Sequence, residues 1–246
     1  MLDIAYRCFE SCGKPQPLDH GVTIHSLKHW LHPWATLIRM AEPSRAAVVE
    51  LKRYFDQYSY AQDLEFRTPF VSVFAEKAVD PKLEAELKGL GFGDYQSTIE
   101  ICVYDEAIEA VLHDDFEIYQ ARLDEPECQR HFASISKGAF AADPQRIHLL
   151  LEGAKAASNP WGVFLLRGGQ AVAGGLVFRK GEYGFMFSGG VLPEYRHQGL
   201  WRNVLSLRQQ LSAEAGVKYW AYITQHEHLK RPAKNIYKNG WFQLNV

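Results

Sequence analysis

Arginine, glycine and an incipient helix come together between residues 190 and 202, in the order Gly190, Val191, Leu192, Pro193, Glu194, Tyr195, Arg196, His197, Gln198, Gly199, Leu200, Trp201, Arg202. Residue types in this order can bind an anion. The aromatic and apolar run from Tyr183 to Leu192 predicts a buried strand, Pro193 and Gly199 break it, and Leu200, Val204, Leu207 and Leu211 then recur at helical spacing. The first amides of a helix have no partner inside it. Together with the positive end of the helix dipole they favour a phosphate or carboxylate lying across the turn. Arg196 and Arg202 can add charge-assisted hydrogen bonds to such a group, with surface ion pairing as the alternative for each.

The neighbouring segments must hold this turn in place. Residues 162–167 and 171–179 are strand-like and flank Gly168-Gly169, a pair suited to a hairpin because glycine accepts positive φ. Lys218 to Thr224 predicts a further strand. Residues 232–242 predict a short helix, with Pro232 near its start and Gly240 near its stop. Upstream, Glu125 to Gly138 and Pro144 to Ser158 suit two helices.

The order strand, Arg196-x-x-Gly199-x-Trp201, helix resembles the acyl-CoA-binding motif of the GNAT family of N-acetyltransferases, Arg/Gln-x-x-Gly-x-Gly/Ala. The series of elements from about Phe116 to the end follows the family's order. The resemblance implies an α/β (α+β) fold, a mixed and mostly antiparallel sheet flanked by helices, with acetyl-CoA as cosubstrate. By analogy the amides of the turn, from Arg196 through His197, Gln198, Gly199, Leu200 and Trp201 to Arg202, would hold the coenzyme's pyrophosphate. The backbone of Gly190, Val191 and Leu192, on a strand splayed at a bulge, would pair with the pantetheine arm. Trp201 departs from the pattern, which has a small residue at that position.

An attacking amine must be neutral, and an unperturbed lysine-like amine has a pKa of about 10.4, so a group must accept its proton. Family members often use a Glu on the central strands, yet Tyr183 to Ser188 carries only Glu182 before it and Glu194 after it, each suited to a solvated surface. His226 and His228 lie just past the strand ending at Thr224, and either could be the base or part of a polar loop. The family commonly protonates the leaving thiolate from a Tyr in the last helix. Tyr237 is the candidate by position, with amphipathic packing as its other reading, and Asn235 could contact the coenzyme or lie exposed.

The N-terminal half carries a weaker copy of these elements. Residues 35–40 suit a strand, Ser44 can cap a helix through Val48, Leu51 and Phe55, residues 69–74 suit a strand, and Pro81 to Leu90 a short helix. Thr98 to Tyr104 then reads as a strand. Glu42-Pro43-Ser44 stands where the coenzyme turn would be, so residues 1–112 are expected to form a degenerate GNAT-like domain and residues 113–246 the acyltransferase domain. The C-terminal sheet has little chain left for a closing strand. Its edge is left open, covered by the other half, or covered by a second chain in a homodimer.

The remaining features narrow the class. Lys plus Arg number 27 against 29 Asp plus Glu, a formal net charge of -2, which gives no overall basic field for nucleic acid. Met1 to Arg7 lacks the layout of a signal peptide and no apolar run is long enough to span a bilayer, so a soluble, cytoplasmic protein is expected. Cys8, Cys12, Cys102 and Cys128 are too few and dispersed for a disulfide framework. His25, His29 and His32 have helical spacing but no nearby carboxylate or cysteine completes a ligand set, so no metal site is expected. The function expected is N-acyl transfer from acetyl-CoA to a small-molecule or peptide amine. The alternative is a non-catalytic GNAT-like module that binds acyl-CoA or a partner.

Overall fold

The computed structural model describes residues 2–25, 37–40, 44–57, 70–74, 81–89, 98–109, 115–224 and 235–243. Their elements run α1 (Leu2–Phe9), β1 (Gln16–Pro17), β2 (Val22–His25), β3 (Leu37–Met40), α2 (Arg45–Gln57), β4 (Phe70–Phe74), α3 (Pro81–Gly89), β5 (Thr98–Tyr104) and β6 (Glu117–Arg122). They continue with α4 (Pro126–Phe140), α5 (Pro144–Lys155), β7 (Trp161–Arg167), β8 (Gln170–Lys180), β9 (Tyr183–Val191), α6 (Leu200–Ala213), β10 (Tyr219–Thr224) and β11 (Asn235–Gln243).

Local chemistry accounts for many of the boundaries. Ser44 caps α2, its Oγ accepting from the Ala47 amide at 3.3 Å, and Asp143 Oδ1 caps α5 by accepting from the Arg146 amide at 2.8 Å. Gly168 and Gly169 turn β7 into β8 with φ of +57° and +76°, a pair of left-handed residues that side chains would strain. Burial in β8 is continuous from Ala171 to Arg179, because helices cover both faces of the sheet there.

The described strands join one 11-stranded sheet in the order β1-β2-β3-β4-β11-β5-β10-β9-β8-β7-β6. Among the described strands only β3–β4 and β9–β10 are parallel, and each of these pairs is linked through a helix, α2 in the first and α6 in the second. The middle of the sheet is therefore a palindrome. Reading inward from either side gives β3, β4, β11 and β9, β10, β5, meeting at the antiparallel pair β11–β5. Strand β5 of the N-terminal half pairs with β10 from Trp220↔Tyr104 to Thr224↔Glu100, and β11 of the C-terminal half pairs with β4 from Gly240↔Val73 to Gln243↔Phe70. Each half thus closes the sheet of the other. The C-terminal edge left undecided by the sequence is covered by β5.

This arrangement corrects one sequence expectation. The helix anticipated at residues 232–242 is strand β11 from Asn235 onward, with Tyr237 in register with Ile101 and Asn235 with Val103. The backbone donors and acceptors of two open strands, β4 and β5, outweigh the weak helical spacing of that segment. A helix the sequence did not announce, α1, packs on β9 and β10 instead. Phe9 and Phe185 stand 4.3 Å apart between ring centroids, and Cys8 Sγ donates to the Tyr219 carbonyl at 3.6 Å.

The core lies on both faces. Phe132, Phe164, Phe178, Phe185 and Phe187 gather under α1, α4 and α5, while Val163, Val177, Leu200, Val204 and Leu207 gather under α6. All four cysteines are buried thiols, and burial pushes Cys8 and Cys128 up to about 12, which keeps them protonated and unreactive. His25 ends β2 stacked on Tyr6 at 5.8 Å, so the helical histidine face considered from spacing does not form at His25, while His29 and His32 lie outside the described residues. No described helix is long and apolar enough to cross a membrane.

Candidate functional site

Strand β9 carries two discontinuities that shape a cleft. It pairs with β10 only through Tyr183↔Tyr219, Gly184↔Trp220 and Phe185↔Ala221, and beyond these residues the two strands part while β10 continues along β5. On its other edge, the register with β8 slips between Gly174 and Leu176: Gly174 faces Gly190, Leu176 faces Phe187, and Ser188 and Gly189 together oppose Gly175. This is a β-bulge, with Ser188 at φ +45°. Glycines make it possible. A methyl on Gly175 would stand 2.5 Å from the Gly189 Cα, a backbone contact that cannot yield.

The turn after β9 has the form expected of an anion cradle. Leu192 donates to the Val172 carbonyl at 2.9 Å, residues 193–195 form a 3-10 turn, and His197 and Gly199 have φ of +64° and +76°. Helix α6 then begins at Leu200. The amides of His197, Gln198, Gly199, Leu200 and Trp201 have no acceptor among the described residues, whereas Arg202 and Asn203 donate to the Gly199 carbonyl. Alternating left-handed residues at a helix start point such amides into a common concavity.

The side chains around the turn are less free than the sequence implies. Arg196, expected at a phosphate, donates from Nε to the Val191 carbonyl and from Nη2 to the Ala139 carbonyl, both at 3.3 Å. It ties the turn to the end of α4 and claims one of the strand groups expected to serve the pantetheine. Arg202 donates to the Glu109 carbonyl at 2.9 Å and so joins α6 to the segment after β5. That segment is also held by Gln209, whose Oε1 accepts from the Ile108 amide at 2.7 Å and whose Nε2 donates to the Glu106 carbonyl at 3.2 Å. Between them, Tyr104, residues 105–109 and Arg202 line a cavity of about 280 Å³.

Trp201 occupies the position where the resemblance has a small residue, and it folds back on the bulge. A methyl on Gly189 would stand 2.5 Å from Trp201 Cζ3 and 2.9 Å from Arg208 Nη2. Arg208 is 1% exposed, with its Cζ 5.1 Å from the Trp201 ring centroid. Its Nη1 donates to the Leu176 carbonyl at 3.0 Å and its Nε to the Val204 carbonyl at 3.4 Å. Tyr104 and Tyr222 stack beside it at 5.4 Å, and burial pushes both phenols above their ordinary value, so they stay protonated.

Of the expected site residues, the structure brings Gly190, Val191, Leu192 and the turn from Arg196 to Arg202 to one end of the β9–β10 cleft. Asn235 and Tyr237 are on β11, outside any helix. His226 and His228 lie outside the described residues. Arg208, Tyr104 and Tyr222 were not anticipated. Arg208 had a readable signal, since it takes a place in the apolar stripe with Leu200 and Val204 at i, i+4 spacing.

No protein-family model and no curated protein sequence matches the chain. Solved structures do. A GCN5-related N-acetyltransferase from Kribbella flavida superposes with a TM-score of 0.64 at 14% identity, covering 99% of this chain and 94% of that one. A conserved protein of unknown function from Staphylococcus epidermidis gives 0.63 at 16% identity, covering 95% of each chain. A tandem GNAT protein from the clavulanic acid biosynthesis pathway gives 0.53 at 11% identity, covering 90% of this chain and 77% of that one. With the parted parallel strands, the bulge and the turn into α6, these likenesses show that the chain has the fold of the GCN5-related N-acetyltransferases.

Proposed function

We propose that this protein is an acyl-CoA-dependent N-acyltransferase that moves acetyl from acetyl-CoA to an amine by direct attack. Residues 113–246 form the acyltransferase unit and residues 1–112 a degenerate GNAT-like unit that helps shape the acceptor pocket. The observation that carries the reading is the join between the parted strands β9 and β10 and the amides from His197 to Trp201, which have no acceptor among the described residues. Such a join can hold a pyrophosphate at the turn and lead an extended acyl thioester into the cleft.

In the reaction, the amine nitrogen attacks the thioester carbonyl carbon, the carbon–sulfur bond breaks, and the amine proton passes to a base while the thiolate gains a proton. His226 or His228, which follow Thr224 in the sequence, serves as the base. Tyr237 lies on strand β11 and not in a helix, so the positional argument for it as the acid does not hold.

A second reading, a module that binds acyl-CoA or a partner without turnover, is favoured by Trp201 standing against Gly189. Calorimetric titration with acetyl-CoA, repeated on folded Gly199→Trp and Arg196→Ala variants, tests the coenzyme site. Saturable binding weakened by both substitutions, followed by thiol release with a panel of amines, supports the enzyme. Binding without thiol release favours the module, and no binding overturns both coenzyme readings.

A further inference from the structure

Arg208 is a charge without a counter-charge. Two of its nitrogens meet neutral carbonyls, and no carboxylate among the described residues forms an ion pair with it. Its Nη2 has no hydrogen-bond partner, although the atom is fully buried. Native proteins bury a cation when an anion or a full set of hydrogen bonds accompanies it. Nη2 lies against Gly189, at the bulge and next to the place where β9 leaves β10. Trp201 Nε1, on the ring that covers Arg208, is likewise buried without a hydrogen-bond partner. Burial draws the guanidinium down to about 9, which still leaves it charged at neutral pH.

We propose that Arg208 receives a carboxylate carried by a substrate, which enters the β9–β10 cleft at Gly189 as the Trp201 ring swings aside. The site then selects a dicarboxylic acyl group, such as malonyl or succinyl, or a carboxylate-bearing amine. The acyl route rests on the acyltransferase reading; the carboxylate site itself does not. A carboxylate fits because Arg208 Nη2 and Trp201 Nε1 can only donate, and the buried positive charge offers nothing to a cation. Trp201 covers the charge when no carboxylate is there, through its ring face.

The test uses the full chain. Calorimetry compares acetyl-CoA with malonyl-CoA and succinyl-CoA, and thermal unfolding compares free malonate with neutral malonamide. One of the dicarboxylic thioesters is expected to bind at least about tenfold more tightly than acetyl-CoA, as one buried charge-assisted hydrogen bond implies. Arg208→Met should bring that ratio to about one. Arg208→Lys, which keeps the charge but loses the forked pair of nitrogens, should lower it severalfold and serves where Arg208→Met does not fold. Equal binding of the thioesters, with turnover preferring an amino acid over its amide in the wild type only, places the carboxylate on the acceptor and supports the site. Malonate raising the unfolding temperature of the wild type alone, with no thioester bound, supports the site while overturning the acyltransferase reading. Indifference of the wild type to carboxylates in all three comparisons overturns the proposal.

Discussion

Trp201 stands so close to Gly189 that a methyl on that glycine would come within 2.5 Å of its ring. The indole fills the space beside the bulge of β9, over Arg208. Trp201→Ala is therefore expected to tighten acetyl-CoA binding about tenfold or more, because the cleft beside Gly189 gains room for the thioester arm. Losing a half-buried indole should lower stability by about 2 kcal/mol. Calorimetry alongside urea unfolding separates the two effects. Unchanged affinity would show that the ring does not obstruct the cleft.

Gly175 and Gly189 meet across the bulge through their backbones. Gly175→Ala puts a methyl 2.5 Å from the Gly189 Cα, and neither strand can give way without loosening the sheet between α4 and α6. The expected loss is about 1–3 kcal/mol, read as a lower urea midpoint at an unchanged slope. Gly169→Ala, with no atom within 4 Å of the added methyl but a φ of +76°, should lose less, since only turn strain is added.

The exchange of β5 and β11 links the halves as one cooperative unit. The intact chain is expected to unfold in a single transition by far-ultraviolet dichroism and tryptophan fluorescence alike. Residues 1–112 and 113–246 produced separately should each expose unpaired strands and aggregate or stay unfolded. Two well-resolved transitions in the intact chain would contradict this.

Acid should weaken the fold through His25. Burial lowers its pKa from 6.5 to about 4, with Glu10 opposing and Arg39 and Lys180 reinforcing the shift. The unfolded chain binds this proton more readily than the folded one. Stability is therefore fully present above pH 6.5 and falls as pH drops toward 4, by up to about 3 kcal/mol from this residue. His131 is also lowered, chiefly by burial, and acts in the same direction. Urea midpoints between pH 7 and pH 5 should decline for the wild type, and the decline should shrink in His25→Gln.

Much of the C-terminal half is legible because its signals are local. Gly168-Gly169, the Leu200 to Leu211 periodicity and the Pro193-to-Gly199 break each act within a few residues, and the hairpin, α6 and the turn follow where expected. Thr98 to Tyr104 reads correctly as a strand, yet nothing in it says that its neighbours are β10 and β11. Asn235 to Gln243 is the converse case. Its spacing of Ala233, Ile236 and Tyr237 resembles a helix, but two distant strand edges decide its conformation. The bulge is half-legible: Gly174, Gly175, Gly189 and Gly190 announce close backbone approach, while the slip that sets Ser188 and Gly189 opposite Gly175 depends on pairing. Arg208 announces itself by breaking an apolar stripe, and only the packing of Trp201 and the bulge around it gives that break a meaning.

The palindromic sheet also sets a timetable for synthesis. Strand β5 leaves the ribosome long before β10 and β11, the two strands that flank it, so the first half emerges with its central seam unfilled. Its sheet cannot close co-translationally from its own residues. The last pairings to form join segments far apart in sequence, which makes folding slow and leaves the nascent chain dependent on protection until β11 is released.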